Sequence, residues 1–233
     1  MSKPVTFLSL GPGDPEHLTL KAVRTLREAD AILMPATPSA DGLVRSRAQE
    51  IVNEWADNRK QHLYPLPMQK NRAAAMAVYD HIYRDAAAMQ RDGQQVVVAV
   101  EGDVSIYASV HYVRDRLQSD GIPVVQCPGI PSFIAAAAQA GLSLASQQQR
   151  LTVLPGDADA DTLQTLLAAN HVVVVMKLSQ CQQALKTFLS QCPATVCHYF
   201  ENVGTTDAFH TTDRDTILSR QIPYFSLCIL YPA

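Results

Sequence analysis

Val97-Val98-Ala99-Val100-Glu101-Gly102-Asp103-Val104-Ser105-Ile106-Tyr107 is the stretch that decides the fold of this chain. An unbroken apolar run stops at an acidic turn with a glycine inside it, and a helical pattern is expected from Tyr107 onward. Apolar residues without alternation read as a strand covered on both faces, as in a parallel sheet. Open α/β sheets place their ligands at the carboxyl ends of such strands. Gly102 lets backbone approach a ligand with no Cβ in the way, and Asp103 offers an acceptor for hydroxyl or ammonium donors.

Working outward, strand-like and helix-like segments alternate. Strands are expected at 5–10, 31–34, 96–100 and 124–127, with an extended piece at 62–66, and helices at 18–29, 43–55, 73–89 and 107–117. This alternation predicts α/β layers around a largely parallel sheet. The second half reads differently, with strands at 151–154, 172–176, 195–200 and 225–230 and helices near 161–169, 181–189 and 213–218. Its closing stretch allows antiparallel neighbours, so a mixed sheet is expected there. Gly121 and Pro123 punctuate the segment between the halves, which predicts an N-terminal α/β domain over 1–120 and a C-terminal one over 121–233.

Composition narrows the function. The chain has 233 residues, 47% of them hydrophobic, enough to bury two cores, and a net charge of -3 that argues against sequence-independent nucleic-acid binding. No apolar run reaches the ~20 residues of a membrane helix, and Met1-Ser2-Lys3-Pro4 leads directly into a strand, so a soluble cytoplasmic protein is expected, with no membrane and no nucleic-acid partner. The cysteines (Cys127, Cys181, Cys192, Cys197, Cys228) lack paired metal-ligand spacing. They read as packed thiols, and no metal site is expected.

Four loops stand at predicted strand ends. Gly11-Pro12-Gly13-Asp14-Pro15 follows the first strand; Glu16 stands where a dinucleotide fingerprint needs its third glycine, and Gly-Lys-Ser/Thr is absent. Asp14 and Thr19 are candidate helix caps there. The others are Glu101-Gly102-Asp103, Cys127-Pro128-Gly129-Ile130-Pro131-Ser132-Phe133, and the buried run Val172–Val175 ending in Met176-Lys177. Ser132 reads either as a cap or as a ligand contact, and Met176 either as core or as a polarizable wall.

In this order and spacing, together with Leu18-Thr19-Leu20, Ala29-Asp30-Ala31-Ile32 and Asn202-Val203-Gly204-Thr205, the chain resembles the tetrapyrrole methylase family along essentially its whole length. That family moves methyl groups from S-adenosylmethionine to corrin and porphyrin precursors. Glu101-Gly102-Asp103, the 127–133 stretch, Arg150-Leu151-Thr152-Val153-Leu154-Pro155 and Pro223-Tyr224-Phe225-Ser226 are similar to the subfamily that methylates precorrin-2 at C(20). The resemblance implies two α/β domains with a cofactor cleft between them, and a homodimer. It implies S-adenosyl-L-methionine contacts at Pro12, Glu101, Gly102, Asp103, Ile106, Pro131, Ser132, Met176 and Gly204, and a tetrapyrrole as the small-molecule substrate.

Two positions depart from the pattern. Val104 stands where many relatives have proline after Gly-Asp. Relatives acting on uroporphyrinogen carry a catalytic aspartate soon after the second strand, where this chain runs Ala31-Ile32-Leu33-Met34-Pro35. No catalytic residue is therefore assigned; Glu101, Tyr107 and His111 lie near enough to the loop to accept the proton that must leave after methylation. The substrate's carboxylates call for cations, and Arg45, Arg47, Arg59 and Arg72, with Lys60 and Lys70, form the local basic enrichment. Rival readings are a macromolecule methylase, which the net charge and the Pro223–Ser226 stretch disfavour, and a cofactor-binding module without turnover. A branched residue at Gly102 is expected to weaken donor binding about tenfold, ~1.4 kcal/mol, in an intact fold.

Overall fold

The structure, a computed structural model, describes residues 3–38, 44–57, 60–66 and 72–232. By Cα proximity the chain divides into Met1–Pro131 and Ser132–Ala233.

The first unit runs β1 (Val5–Ser9), α1 (Leu20–Glu28), β2 (Ala31–Pro38), β3 (Val44–Arg45), α2 (Arg47–Asn53), β4 (Gln61–Pro65), α3 (Arg72–Arg91), β5 (Val96–Val100), α4 (His111–Ser119) and β6 (Val124–Cys127). Five strands pair in parallel in the order β4-β2-β5-β1-β6, and β3 pairs antiparallel with the end of β2. All of β5 is buried, as its apolar run requires. The two faces of the sheet hold different helices. Val5, Phe7, Leu33, Val96, Val98 and Val100 pack with Ile82 of α3 and Val113 and Leu117 of α4. Leu8, Leu10, Ile32, Met34, Val97 and Ala99 pack with Ala22 and Leu26 of α1 and Ala48, Ile51 and Val52 of α2.

The strand order makes a ligand crevice. The connection from β1 to β2 passes over β5, while that from β5 to β6 passes over β1 the other way. Loops after β1 and β5 therefore leave in opposite directions, which opens space at their carboxyl ends.

Three expectations change. The 43–55 segment is not one helix: β3 pairs with β2, and α2 starts only after Ser46, whose hydroxyl accepts from the Gln49 N–H at 3.3 Å. The helix expected from Tyr107 begins at His111, because Tyr107 has φ 51°, which no α-helix accommodates. The division placed at 120/121 falls instead after Pro131, because β6 is hydrogen-bonded to β1 and completes the first sheet.

The second unit contains α5 (Ser132–Gln139), β7 (Arg150–Leu154), α6 (Ala160–Ala168), β8 (His171–Met176), α7 (Gln182–Gln191), β9 (Val196–Glu201), β10 (Phe209–Thr211), α8 (Arg214–Ser219) and β11 (Ser226–Tyr231). Its sheet is mixed, in the order β10-β9-β11-β8-β7, with β7 and β8 parallel and the other pairs antiparallel. Leu163, Leu185, Phe188, Leu189 and Ile217 from its helices pack on Val173, Val175, Tyr199, Cys228 and Leu230. Beside this core Arg220 holds the Glu201 carboxylate with two N–H groups, and the Tyr199 hydroxyl donates to the same carboxylate. The five cysteines are free thiols, and Cys127, Cys197 and Cys228 are buried.

Candidate functional site

In the first unit the loops after β1, β5 and β6 meet at one edge of the sheet. Leu10 N–H donates to the Val100 carbonyl at 2.8 Å, and beyond the strands Gly11 and Gly102 form a small antiparallel bridge, N···O 3.1 and 2.6 Å. Both glycines have left-handed φ, 75° and 73°, which explains the residue type at each. Gly129 of the third loop approaches so closely that a Cβ there would lie 2.5 Å from Ser9 Cβ. Gly129→Ala is accordingly expected to destabilise the first unit by about 1–3 kcal/mol in urea unfolding, through displaced backbone.

Asp103 ties the three loops together. Its Oδ2 accepts from the Gly129 N–H at 2.6 Å and the Ser9 hydroxyl at 3.4 Å, and its Oδ1 accepts from the Ser105 N–H at 2.8 Å and from the Ser105 hydroxyl. The Ser9 hydroxyl oxygen also accepts from the Val104 N–H at 3.0 Å. Burial pushes the Asp103 carboxyl upward, but hydrogen bonds from Gly129, Ser105 and Ser9 outweigh it, so its pKa lies below the ordinary value. A carboxylate so engaged has little acceptor capacity left for a ligand. The sequence offers Asp103 as a ligand acceptor; the structure makes its side chain an internal tie that shapes the loop.

Glu101 is different. Alternation along β5 continues from Val97 and Ala99, on the α1–α2 face, to Glu101 at the strand end. Its mostly buried carboxylate receives no hydrogen bond among the described residues. Burial pushes it up to about 7; the Arg47 guanidinium opposes the rise and the Glu50 carboxylate adds to it, both from the first turn of α2. The native carboxyl thus holds a proton more tightly than the unfolded chain does. This favours folding below about pH 4.5 and is lost as pH rises through about 7. Glu101→Gln is expected to remove about 3 kcal/mol of that pH dependence. Melting temperatures between pH 4 and 8 should fall in the native protein and stay level in the variant.

The remaining expected positions are placed as follows. Pro12 is buried in the first loop. Gly102 has nothing within 4 Å of the position a Cβ would take, so its backbone faces open space. That fits a bound ligand, but at φ 73° a branched residue is strained by about 1–2 kcal/mol whatever the space, so Gly102→Val does not leave the fold untouched. Ile106 donates its N–H to the Asp103 carbonyl at 3.1 Å and is partly exposed. Asp14 and Thr19 cap helical turns, accepting from Glu16 N–H at 2.8 Å and Ala22 N–H at 3.1 Å. Tyr107 is exposed, and His111, on α4, has its Nδ1 2.9 Å from the Ala108 carbonyl and its ring against Tyr112. Arg47 is partly buried in the first turn of α2. Arg45 belongs to β3 and Arg72 starts α3, but their side chains, like Arg59 and Lys70 altogether, lie outside the described residues.

In the second unit Ser132 is the first helical residue of α5 and not its cap, and no hydrogen bond to its hydroxyl forms among the described residues. Pro131, just before it, is partly exposed. Met176 is partly exposed at the carboxyl end of β8. Gly204 has φ 80° in the turn after β9. Gly156, which the sequence reading did not single out, sits so close to this edge that a Cβ would lie 2.9 Å from the Met176 carbonyl and 2.7 Å from that of Lys177. The signal was present: a glycine just past a strand end. A cavity of about 460 Å³ lies beside it, walled by Asp157, Cys181 and Gln182. Burial pushes the Cys181 thiol up, which disfavours its thiolate form. No helix among the described residues is long and apolar enough to cross a membrane.

Known proteins resemble this chain in sequence and in fold. The chain is 29% identical over 230 residues to cobalamin biosynthesis protein CobIJ of Mycobacterium tuberculosis (strain ATCC 25618 / H37Rv), covering 96% of itself and 45% of that protein, so it spans less than half the length of this relative. It is 27% identical over 231 residues to the cobalt-precorrin-2 C(20)-methyltransferase of Salmonella typhimurium (strain LT2), covering 96% of itself and 94% of that enzyme. The fold matches the crystal structure of uroporphyrin-III C-methyl transferase from Thermus thermophilus complexed with S-adenyl homocysteine. That match has a TM-score of 0.70 and 21% identity, over 98% of this chain and 97% of that one. Residues 4–216, which hold the first sheet, every strand of the second except β11, and every loop just described, match the Tetrapyrrole (Corrin/Porphyrin) Methylases, and the chain belongs to that family.

Proposed function

We propose that this protein methylates C(20) of precorrin-2, or of its cobalt complex, with S-adenosylmethionine as donor, in cobalamin biosynthesis. The observation that carries this reading is the near full-length similarity to the Salmonella C(20)-methyltransferase. The acidic Glu101-Gly102-Asp103 form of the loop supports it, as the subfamily resemblance has that form.

The first unit's crevice suits such a donor. Gly102 presents bare backbone to open space, the partly exposed Ile106 supplies apolar surface beside it, and the buried Pro12 stiffens the first loop. Bound there, S-adenosylmethionine supplies an electrophilic methyl group on a sulfonium. The protein's part is positioning, which contributes several kcal/mol when the reacting atoms are aligned. Asp103 holds the three loops in one geometry before ligand arrives, so little ordering remains to be done on binding. Arg47, partly buried in the first turn of α2 and electrostatically coupled to Glu101, is a cation we assign to a substrate carboxylate at this edge. Pro131, which closes the first unit, and Ser132, Met176 and Gly204 of the second are further donor contacts we assign on the family resemblance, and a cytoplasmic homodimer is the expected assembly.

Incubation with labelled donor and precorrin-2, with and without cobalt, is expected to give one added methyl at C(20) and none on uroporphyrinogen. Label on uroporphyrinogen, RNA or protein instead would overturn the assignment. Arg47→Ala is expected to raise the tetrapyrrole KM about tenfold, with the donor KM within twofold, because only the tetrapyrrole loses a carboxylate partner. Light scattering at micromolar concentration checks the dimer, and a single 25.5 kDa species would remove it.

A further inference from the structure

The methylated meso carbon must lose a proton, and among the described groups at this edge one side chain is both basic enough and uncommitted. Asp103 is engaged by four internal donor contacts. Asp14 caps a turn. His17 packs under Gly11 with its Nδ1 buried. His111 stands on α4, which covers the opposite face of the sheet from α2. Tyr107 is an exposed phenol, which carries no basic lone pair suited to this task near pH 7. Glu101 remains, at the carboxyl end of β5 on the α2 face, next to the Gly11–Gly102 bridge that borders the crevice.

We propose that Glu101 is the catalytic base, taking the proton from the meso carbon once the methyl group has arrived. The inference rests on the C(20) reading of the preceding subsection. In the first step the carbon's π pair forms the new C–C bond, and the S–C bonding pair stays on sulfur. The carbon then carries both hydrogen and methyl. In the second step its C–H bond breaks, the pair restores the conjugated double bond, and the proton goes to a Glu101 carboxylate oxygen, from which water removes it. No oxidant or reductant is needed.

The surroundings of Glu101 suit the task. Burial strengthens its basicity, while Arg47 keeps the ionised form accessible against the opposing charge of Glu50. With a pKa of about 7 in the free protein, it can accept a proton in one half of the cycle and release it in the other.

Glu101→Gln and Glu101→Asp test the assignment beside the native protein. In Glu101→Gln, kcat with precorrin-2 is expected to fall at least ~100-fold. The amide keeps the shape of the side chain and one acceptor oxygen for the donor contact, so donor affinity by calorimetry is expected to fall far less than kcat, and measurable binding also shows that the variant is folded. Native kcat/KM should rise with pH along a single-proton limb centred near 7. Glu101→Asp should keep that limb at a shifted midpoint, and Glu101→Gln should lose it. Independently of turnover, a 13C-labelled Glu101 carboxyl should titrate near 7 in the free protein. If the native protein turns over precorrin-2 and Glu101→Gln keeps kcat within tenfold, the base assignment is wrong while the C(20) reading stands. If the native protein methylates only another substrate, the C(20) reading falls and takes this assignment with it.

Discussion

Asp103→Ala is expected to cost about 3–5 kcal/mol of stability, the range for breaking a buried charged network from one side. Asp103 is 6% exposed as a residue and Ser9 beside it is fully buried. Removing the carboxylate strands the Gly129 N–H and the Ser9 hydroxyl in a space water does not readily reach, and each unsatisfied group costs about 1–3 kcal/mol. Asp103→Asn does not repair the loss. Donors approach both oxygens, Ser105 at Oδ1 and Gly129 at Oδ2, and an amide has only one acceptor oxygen. The Asn variant should therefore lie between the native protein and the Ala variant in urea unfolding. The pH dependence has a definite sign. The native pKa is depressed below 3.8, so the stability is present above that value and is lost as pH falls through the native one. The Asn variant should lack this acid limb. Donor affinity should drop at least tenfold in both variants, because the Gly102 turn loses its anchor.

The second large effect is expected at Arg220→Met, about 3 kcal/mol, the low end of the range because the guanidinium is 37% exposed while the Glu201 side chain is 7% exposed. Arg220 meets Glu201 with two N–H groups, one at 2.9 Å, and lies 4.1 Å from the Phe209 ring. Its hydrogen bonds hold the Glu201 carboxyl below the usual range, against burial and with help from Tyr199. Methionine keeps some of the contact with Phe209 and leaves Glu201 with only the Tyr199 hydroxyl. Adding Glu201→Gln to Arg220→Met should recover part of the loss, because the uncompensated charge goes with it. Two losses that simply add would show that the pair contributes no coupling.

Much of this was legible in the sequence because it depends on local pattern. Val96–Val100 has no alternation and is buried on both faces, and β6 is bounded by Pro123 and Pro128. Thr19 and Asp14 cap because their side chains reach amides two or three residues on. What stayed hidden depends on partners far away in sequence. Nothing near Asp103 announces that Ser9 and Gly129 will occupy its oxygens. Nothing near Val44 announces that this short piece pairs with β2 and delays α2. Tyr107 reads as a helical residue because propensity says nothing about the left-handed φ that the turn imposes. β10 spans three residues, too few to show a period. The reading of Glu101 as a candidate came from nearness to a loop; its separation from His111 came only with the faces of the sheet, and from Tyr107 with the exposure of that phenol.

The tie at Asp103 also bears on how the chain reaches its native state. Its partners lie 94 residues before it and 26 after it, so three remote parts of the chain must have met before it closes. Contacts of such separation carry a loop-closure cost that only a largely assembled sheet repays. A chain still emerging from the ribosome, with β1 and β5 already out, cannot complete this tie until residue 129 has emerged and β6 has docked beside β1. The crevice is therefore among the last parts of the first unit to acquire its shape, and a chain stopped before β6 keeps most of the hydrophobic layers while having no competent place for a ligand.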